Sequence, residues 1–389
     1  MKVLMVAPTS FFADRGCHVR ILGEIRGLQE LGHEVVLCTY PLGRDVPGIR
    51  TCRTWPVPWY RKVTAGPSWH KYYIDLLLLG LVWRWIRHWR PDVVHAHLHE
   101  GGCIAALALG KRRIPLVLDY QGSLSAEVVA HGFTGPRSPQ SRWLRRLERW
   151  IDHRADVVLT SSDHGKADLS SAFGVPEDRI HVVNDGVDVH QFRPGSNGHL
   201  IRERYGIPAT RPLIIYTGLL NAYQGIDLLL DAFKELKSRQ LEFHALLVGY
   251  PDVERYRAKA ARLGLGDEVT LTGRVPFEEV PELLAASDLA VSAKLPGSEG
   301  NLKLFSYLAS GLPTVAFDTP LNREVIGETG ALVTGVEPAA FAEGIAQLLE
   351  QRERWSTLGA MARARAAERF SWRPVAQRIV EIYQLLLND

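Results

Sequence analysis

Short apolar runs bounded by turn formers recur along this chain, with helical spacing between them. Residues 93–97, 116–121, 157–161 and 180–184 are near-continuous apolar runs that turn polar at their carboxyl ends. Strands of that composition are covered on both faces, and sheets covered on both faces are parallel with helical crossovers. The N-terminus opens the same way, with a strand at 3–7, a helix from about His18 to Leu31 ended by Gly32, and a strand at 34–40. No GxGxxG follows the first strand, which argues against a dinucleotide cofactor. After a cluster of turn formers at 192–198 the alternation restarts, with strands at 213–217, 244–249, 269–272, 289–293, 314–317 and 331–333. The pattern predicts an α/β protein of two Rossmann-like domains in tandem.

The length agrees. A chain of 389 residues exceeds the roughly 250–300 at which a single core stops growing. The expected division is 1–194, 195–370 and a last segment, 371–389, that packs back on the first domain. A net charge of +3 is too small to argue for nucleic acid. Basic residues exceed acidic ones in the first half and fall slightly behind in the second. Two Arg- and Trp-rich segments, 69–90 and 136–156, lie in that basic half, as a lipid-facing surface requires. A packed helix with one solvated basic side gives the same pattern and is commoner. The most apolar stretch, 76–83, is too short to span a bilayer. Cys17, Cys38, Cys52 and Cys103 lack paired spacing, which fits reduced thiols in the cytoplasm, and no metal-ligand spacing is visible.

Ligands of open α/β sheets bind at the carboxyl ends of the strands. Polar residues collect there: His95, His97 and His99, then Gln121, Gly122 and Ser123, then Ser161 and Ser162, then Asn184, Asp185 and Gly186. Arg15 and Gly16 occupy the loop after the first strand. Residues 296–318 read as a loop, a helix with Leu302, Phe305, Leu308 and Ala309 on one face, a C-terminal Gly311, and a strand after Pro313. The first-turn amides of residues 299–302 would favour an anion, and Lys303 adds a full charge. Any crossover helix of a parallel sheet shares part of this pattern.

Several motifs together resemble the family 4 glycosyltransferases of GT-B fold: GHEV at 32–35, PDVVHAH at 91–97, NDGVD-x3-F-x-P at 184–194, YTGLLNAYQGIDLLLDAF at 216–233, and the stretch 296–318. The resemblance covers nearly the whole chain. It implies two domains facing each other across a cleft, with the donor on the second and the acceptor on the first. The implied reaction is a metal-independent, retaining transfer from a nucleoside diphosphate sugar to an acceptor hydroxyl. No further cofactor is implied. The leaving diphosphate takes the acceptor proton, so the protein's task is to stabilise developing negative charge.

Carried over residue by residue, the resemblance gives Lys303, Glu299, Gln121 and His97 to the chemistry. It gives Arg15, Gly16, Gly218, Gln224, Gly225, Lys294, Gly300, Asn301, Leu302 and Ser306 to the donor. The chain departs from the family at four of the positions concerned. Leu219 and Gln224 stand where an Arg and a Lys are common, Ser306 replaces a second Glu, and Gln121 replaces a His. Lys303, Lys294, Arg15 and the helix amides are therefore expected to supply the charge. A lysine makes a point contact where an arginine makes a fork. The competing readings are a non-catalytic GT-B protein with a degraded donor site and, last, a nucleotide-sugar epimerase. The acceptor is expected to be a glycan, a lipid-linked molecule or a small molecule. The expected location is cytoplasmic, with peripheral attachment at the inner membrane face if the acceptor is lipid-linked.

Overall fold

The structure, a computed structural model, describes residues 1–12, 16–60, 69–125, 128, 135, 138–195, 198–295 and 301–388. The chain divides into two units. One holds Met1–Asp185 and the C-terminal segment from Trp372; the other holds Gly186–Gly297 and Asn301–Ser371. The crossing at Asp185 precedes the turn-rich stretch at 192–198. Its cause is non-local: the Val187 amide donates to the Phe370 carbonyl at 2.7 Å, and Val187 and Phe192 are buried in the second core.

In the first unit seven parallel strands form one sheet: β1 (Lys2–Ala7), β2 (Glu34–Thr39), β3 (Thr51–Arg53), β4 (Val93–His97), β5 (Leu116–Tyr120), β6 (Val157–Thr160) and β7 (Ile180–Val182). Their order is β3-β2-β1-β4-β5-β6-β7, so the winding reverses between β1 and β4. β4 and β5 are buried at every position, including the polar His95, His97 and Asp119. The short β3 falls in a stretch that composition marks as irregular. The helix Pro139–Arg154 starts where Ser138 accepts the Ser141 amide proton at 3.0 Å, with Pro139 in its first turn. The C-terminal helix, Trp372–Asn388, packs on the first helix, Gly16–Glu30. Gly23 makes this possible, because the Trp372 indole occupies the place a Cβ would take.

The second unit carries six parallel strands: β8 (Leu213–Thr217), β9 (His244–Val248), β10 (Val269–Gly273), β11 (Leu289–Ser292), β12 (Thr314–Phe317) and β13 (Gly330–Val333). The order β10-β9-β8-β11-β12-β13 reverses between β8 and β11. In such sheets the point of reversal opens a crevice at the carboxyl ends. Among the described residues the helix expected after 299 begins at Lys303 and runs to Ala309. Gly311 follows it with φ +71, the left-handed backbone that glycine adopts without strain. The two units are thus both Rossmann-like, as the alternation of runs predicts.

Candidate active site

The carboxyl ends of β8 and β11 carry five of the expected residues. Gly218 follows β8 with φ +137, and a Cβ there would stand 3.1 Å from Lys303 Cε. Gly249, after β9, is equally constrained, since a Cβ would lie 1.7 Å from the Gly218 carbonyl oxygen. Gly225 has φ +72 and caps the helix Ile226–Ser238; a Cβ would meet the Ala293 carbonyl oxygen at 1.9 Å. At Gly225 and Gly249 backbone therefore packs directly on backbone, with no room for a Cβ.

Lys303 lies against Gly218. Its ammonium donates to Gln224 Oε1 at 2.5 Å and lies 4.8 Å from the centre of the Tyr216 ring. The Tyr216 hydroxyl donates to the Leu219 carbonyl at 2.8 Å and reaches Gln224 Oε1 at 3.4 Å. Burial, with the nearby Lys294 ammonium, pushes the Lys303 pKa down to about 7. Lys294 is itself buried, with its ammonium 5.1 Å over the Tyr223 ring. One turn beyond Lys303, Tyr307 holds the helix to β8 by accepting the Thr217 amide proton at 2.8 Å. The arrangement concentrates two lysines at a strand edge around glycine backbone. Chemically it suits an anion that must be approached closely.

Asn301 is buried and bonded elsewhere, to Ser292 Oγ at 3.1 Å and Asn322 Oδ1 at 3.3 Å. Leu302 and Ser306 are partly exposed on the same short helix region. Arg15, Glu299 and Gly300 lie outside the described residues. Leu219, in the place of the family's Arg, is exposed.

The first-unit candidates gather around Asp119 instead. His97 is fully buried, with Nδ1 3.0 Å from Asp119 Oδ2, and Gln121 donates to the same oxygen at 2.6 Å. Arg20 grips Asp119 through Nε and a terminal nitrogen at 3.0 and 2.9 Å, and Asp185 at 2.7 Å. Burial opposes ionisation of Asp119, but Arg20 and His97 outweigh it and hold its pKa far below the ordinary carboxylate value. Burial, together with His97 and Arg20, drives the His95 pKa well down. This network explains Asp185 of the NDGVD motif as the partner of a buried arginine. Gly16 opens the Gly16–Glu30 helix and is exposed.

Sequence reasoning missed Tyr216, Tyr307, Arg20, Glu24 and Asp119. The first two sit in apolar runs and read as core, which they also are. Arg20 and Glu24 are spaced i,i+4, the pattern of an exposed helix pair, yet both are buried.

Two family models match in succession: a glycosyl transferase 4-like domain over residues 15–186 and glycosyl transferases group 1 over 211–351. The D-inositol 3-phosphate glycosyltransferase of Xylanimonas cellulosilytica is 30% identical over 75% of this chain and 71% of its own. The chain belongs to the GT4-type glycosyltransferases. A GT4-type glycosyltransferase transfers sugar from a nucleotide sugar, which removes the non-catalytic reading. The enzyme of the same name from Thermobispora bispora is 28% identical over 95% of this chain and 89% of its own. Among solved structures, sucrose-phosphate synthase from Thermosynechococcus elongatus superposes with a TM-score of 0.81 at 20% identity, covering 100% of this chain and 99% of that one. Anabaena HepE in complex with UDP-glucose gives 0.78 at 19% identity, covering 99% of each chain. These likenesses give the GT4 chain the GT-B fold.

Proposed function

We propose that this GT4 glycosyltransferase moves a sugar, with retention and without metal in the transfer step, from a nucleoside diphosphate sugar to an acceptor hydroxyl. The observation that carries the reading is the placement of Lys303 on Gln224 and Tyr216, against Gly218, at the reversal point of the second sheet. A donor diphosphate seated there meets the Lys303 ammonium and the exposed backbone at Gly218. Lys294 adds charge from the end of β11. As the glycosidic bond to phosphate breaks, negative charge grows on the leaving diphosphate, and a fixed cation lowers that barrier. The retained configuration follows if the leaving phosphate oxygen takes the acceptor proton on the face the donor vacates. In that route no side-chain nucleophile is needed.

The test is thermal stability against UDP, GDP, ADP and dTDP, followed by turnover with sugars of the responding nucleotide. A ligand that binds only the folded chain adds about 2.7 kcal/mol at a hundredfold excess over its Kd. The UDP-glucose complex of HepE makes UDP the first nucleotide to try. One nucleotide should stand out and lose its effect in Lys303→Ala. If all four leave the midpoint unmoved, the donor assignment fails.

The acceptor side carries a second observation. The helix Pro139–Arg154 exposes Trp143 (61%) and Trp150 (39%) among several arginines, while the helix Trp69–Trp89 exposes Tyr72, Leu76 and Trp83. Among the described residues no helix is long and apolar enough to cross a membrane. Exposed aromatic and basic side chains on surface helices favour attachment at a lipid surface, and with it a lipid-linked acceptor. Cosedimentation with anionic vesicles at low salt, reduced in a Trp143→Ser, Trp150→Ser variant, supports this. Wild-type protein that stays in the supernatant removes it.

A further inference from the structure

Beneath the carboxyl end of β4 lies a group of side chains that the transfer reaction does not use. His95 and His97 alternate with Ala96 on one strand, so both rings face the same way. The rings stack with centroids 4.6 Å apart. Each has its Nδ1 engaged: His97 with Asp119 Oδ2 at 3.0 Å, His95 with the Tyr383 hydroxyl at 2.6 Å. Their Nε2 atoms both turn to Glu24 Oε2, at 3.8 and 3.9 Å. Glu24, His95, His97 and Asp119 are each fully buried. Among the described residues, His95 Nε2, His97 Nε2 and Glu24 Oε2 have no hydrogen-bond partner.

Three unpartnered polar atoms gathered in a place water does not reach from outside need an occupant, and the two stacked rings have to splay to direct both lone pairs at it. Their separations are too long for direct hydrogen bonds. They are within a few tenths of an ångström of the roughly 3.4 Å between two ligands of a tetrahedral ion with bonds of about 2.1 Å. One potential ligand atom from each of the four residues lies within 4.8 Å of the others. The formal charge argues the same way. Arg20 faces Glu24 at 3.0 Å, Asp119 at 2.9 Å and Asp185 at 2.7 Å, so one guanidinium serves three carboxylates. A divalent cation brings this buried set to neutrality.

We propose that Glu24, His95 and His97 bind one zinc-class divalent ion inside the first unit, with Asp119 and Tyr383 orienting the two imidazoles. Imidazole nitrogens with one carboxylate select zinc over magnesium or calcium, which take oxygen ligands. An imidazole whose far nitrogen donates to a carboxylate is the usual second support of such a ligand, and His97 on Asp119 has that form. The ion is structural. It ties the Gly16–Glu30 helix to β4 and, through Tyr383, to the C-terminal helix. This inference does not rest on the donor assignment.

The test uses the full chain, made without a histidine tag in zinc-supplemented medium and desalted before elemental analysis. The expected result is one zinc per chain. Refolding with Co²⁺ should give a visible ligand-field band, lost in Glu24→Gln and in His97→Gln and kept in His88→Gln, an exposed control. Chelation during refolding should lower the thermal midpoint of the wild type and not of Glu24→Gln. Folded wild type that carries no zinc and gives no cobalt band overturns the proposal, whatever the variants do. Protons on Glu24 and one imidazole then balance the charge. Metal kept equally by both variants also overturns it, because the ion then sits elsewhere.

Discussion

The Tyr307 hydroxyl accepts the Thr217 amide proton at 2.8 Å, one helical turn along from Lys303. That bond fixes the height of Lys303 over β8. Tyr307→Phe leaves a backbone N–H at the strand end unpaired, at a cost of about 1–3 kcal/mol. A lower thermal midpoint together with a raised donor KM is the expected outcome. A lower midpoint with donor KM unchanged would mean that the bond serves the fold alone.

Lys303→Met should cost about 10²–10³-fold in kcat, the usual effect of removing one donor to developing negative charge. Lys303→Arg should recover only part of this, because a planar fork cannot occupy the place of a point charge beside Gly218. Steady-state kinetics with the responding nucleotide sugar measures both. A Met variant within a few-fold of wild type would take Lys303 out of the reaction.

Burial holds the free Lys303 pKa at about 7, and a bound diphosphate stabilises the ammonium and raises it. Nucleoside diphosphate binding should therefore take up protons, and affinity should fall as pH rises above 7. Calorimetry in buffers of different ionisation heat reads the uptake directly. Subtracting the Lys303→Met curve removes the titration of the phosphate itself. An uptake of equal size in the two proteins contradicts the assignment.

Gly225→Ala puts a methyl group 1.9 Å from the Ala293 carbonyl oxygen on a backbone at φ +72. Left-handed strain alone costs about 1–3 kcal/mol, and the clash adds to it. The expected result is a marked fall in thermal midpoint, with donor response lost in whatever still folds. Gly48→Ala is the matched control, since that glycine is also left-handed but has open space around it.

Burial opposes the charged form of His99, but Asp152 at 3.3 Å and Glu148 outweigh it and raise its pKa above the ordinary value. A raised folded-state pKa gives stability that is complete below the unfolded value of about 6.5 and lost as pH rises through the folded one. Denaturant midpoints should decline through that window, and less steeply in His99→Gln. Identical slopes in the two proteins would show that another group controls the decline. Glu148 and Asp152 are buried residues of the Pro139–Arg154 helix, so its seating should loosen over the same range.

Most of the fold was legible because the strands of these sheets are buried on both faces, and continuous burial leaves a continuous apolar record. β3 left none, being three half-buried residues of mixed type. The division after Asp185 leaves no mark in composition, which records turns, whereas the bond from Val187 to Phe370 joins residues far apart in sequence. Gly218, Gln224, Gly225 and Lys294 came from the family resemblance and Lys303 from the first turn of its helix, and the structure places Lys303 beside Gly218 and Gln224. Arg20 and Glu24 were not legible. Pattern reading assigns charged residues to the water side of a helix, and this helix turns them inward to meet Asp119, Asp185, His95 and His97.

The place of Trp372–Asn388 in the first unit has a consequence for the order in which the protein is made. Residues 1–185 leave the ribosome first, but Gly23 and the His95 ring wait uncovered for Trp372 and Tyr383. Meanwhile residues 186–371, nearly a complete unit, are synthesised in between. The half that is translated first is therefore the half that is finished last. A nascent chain stalled before Trp372 would carry a closed second unit and an unsealed first one, open to proteases at the surface that the last helix is made to cover.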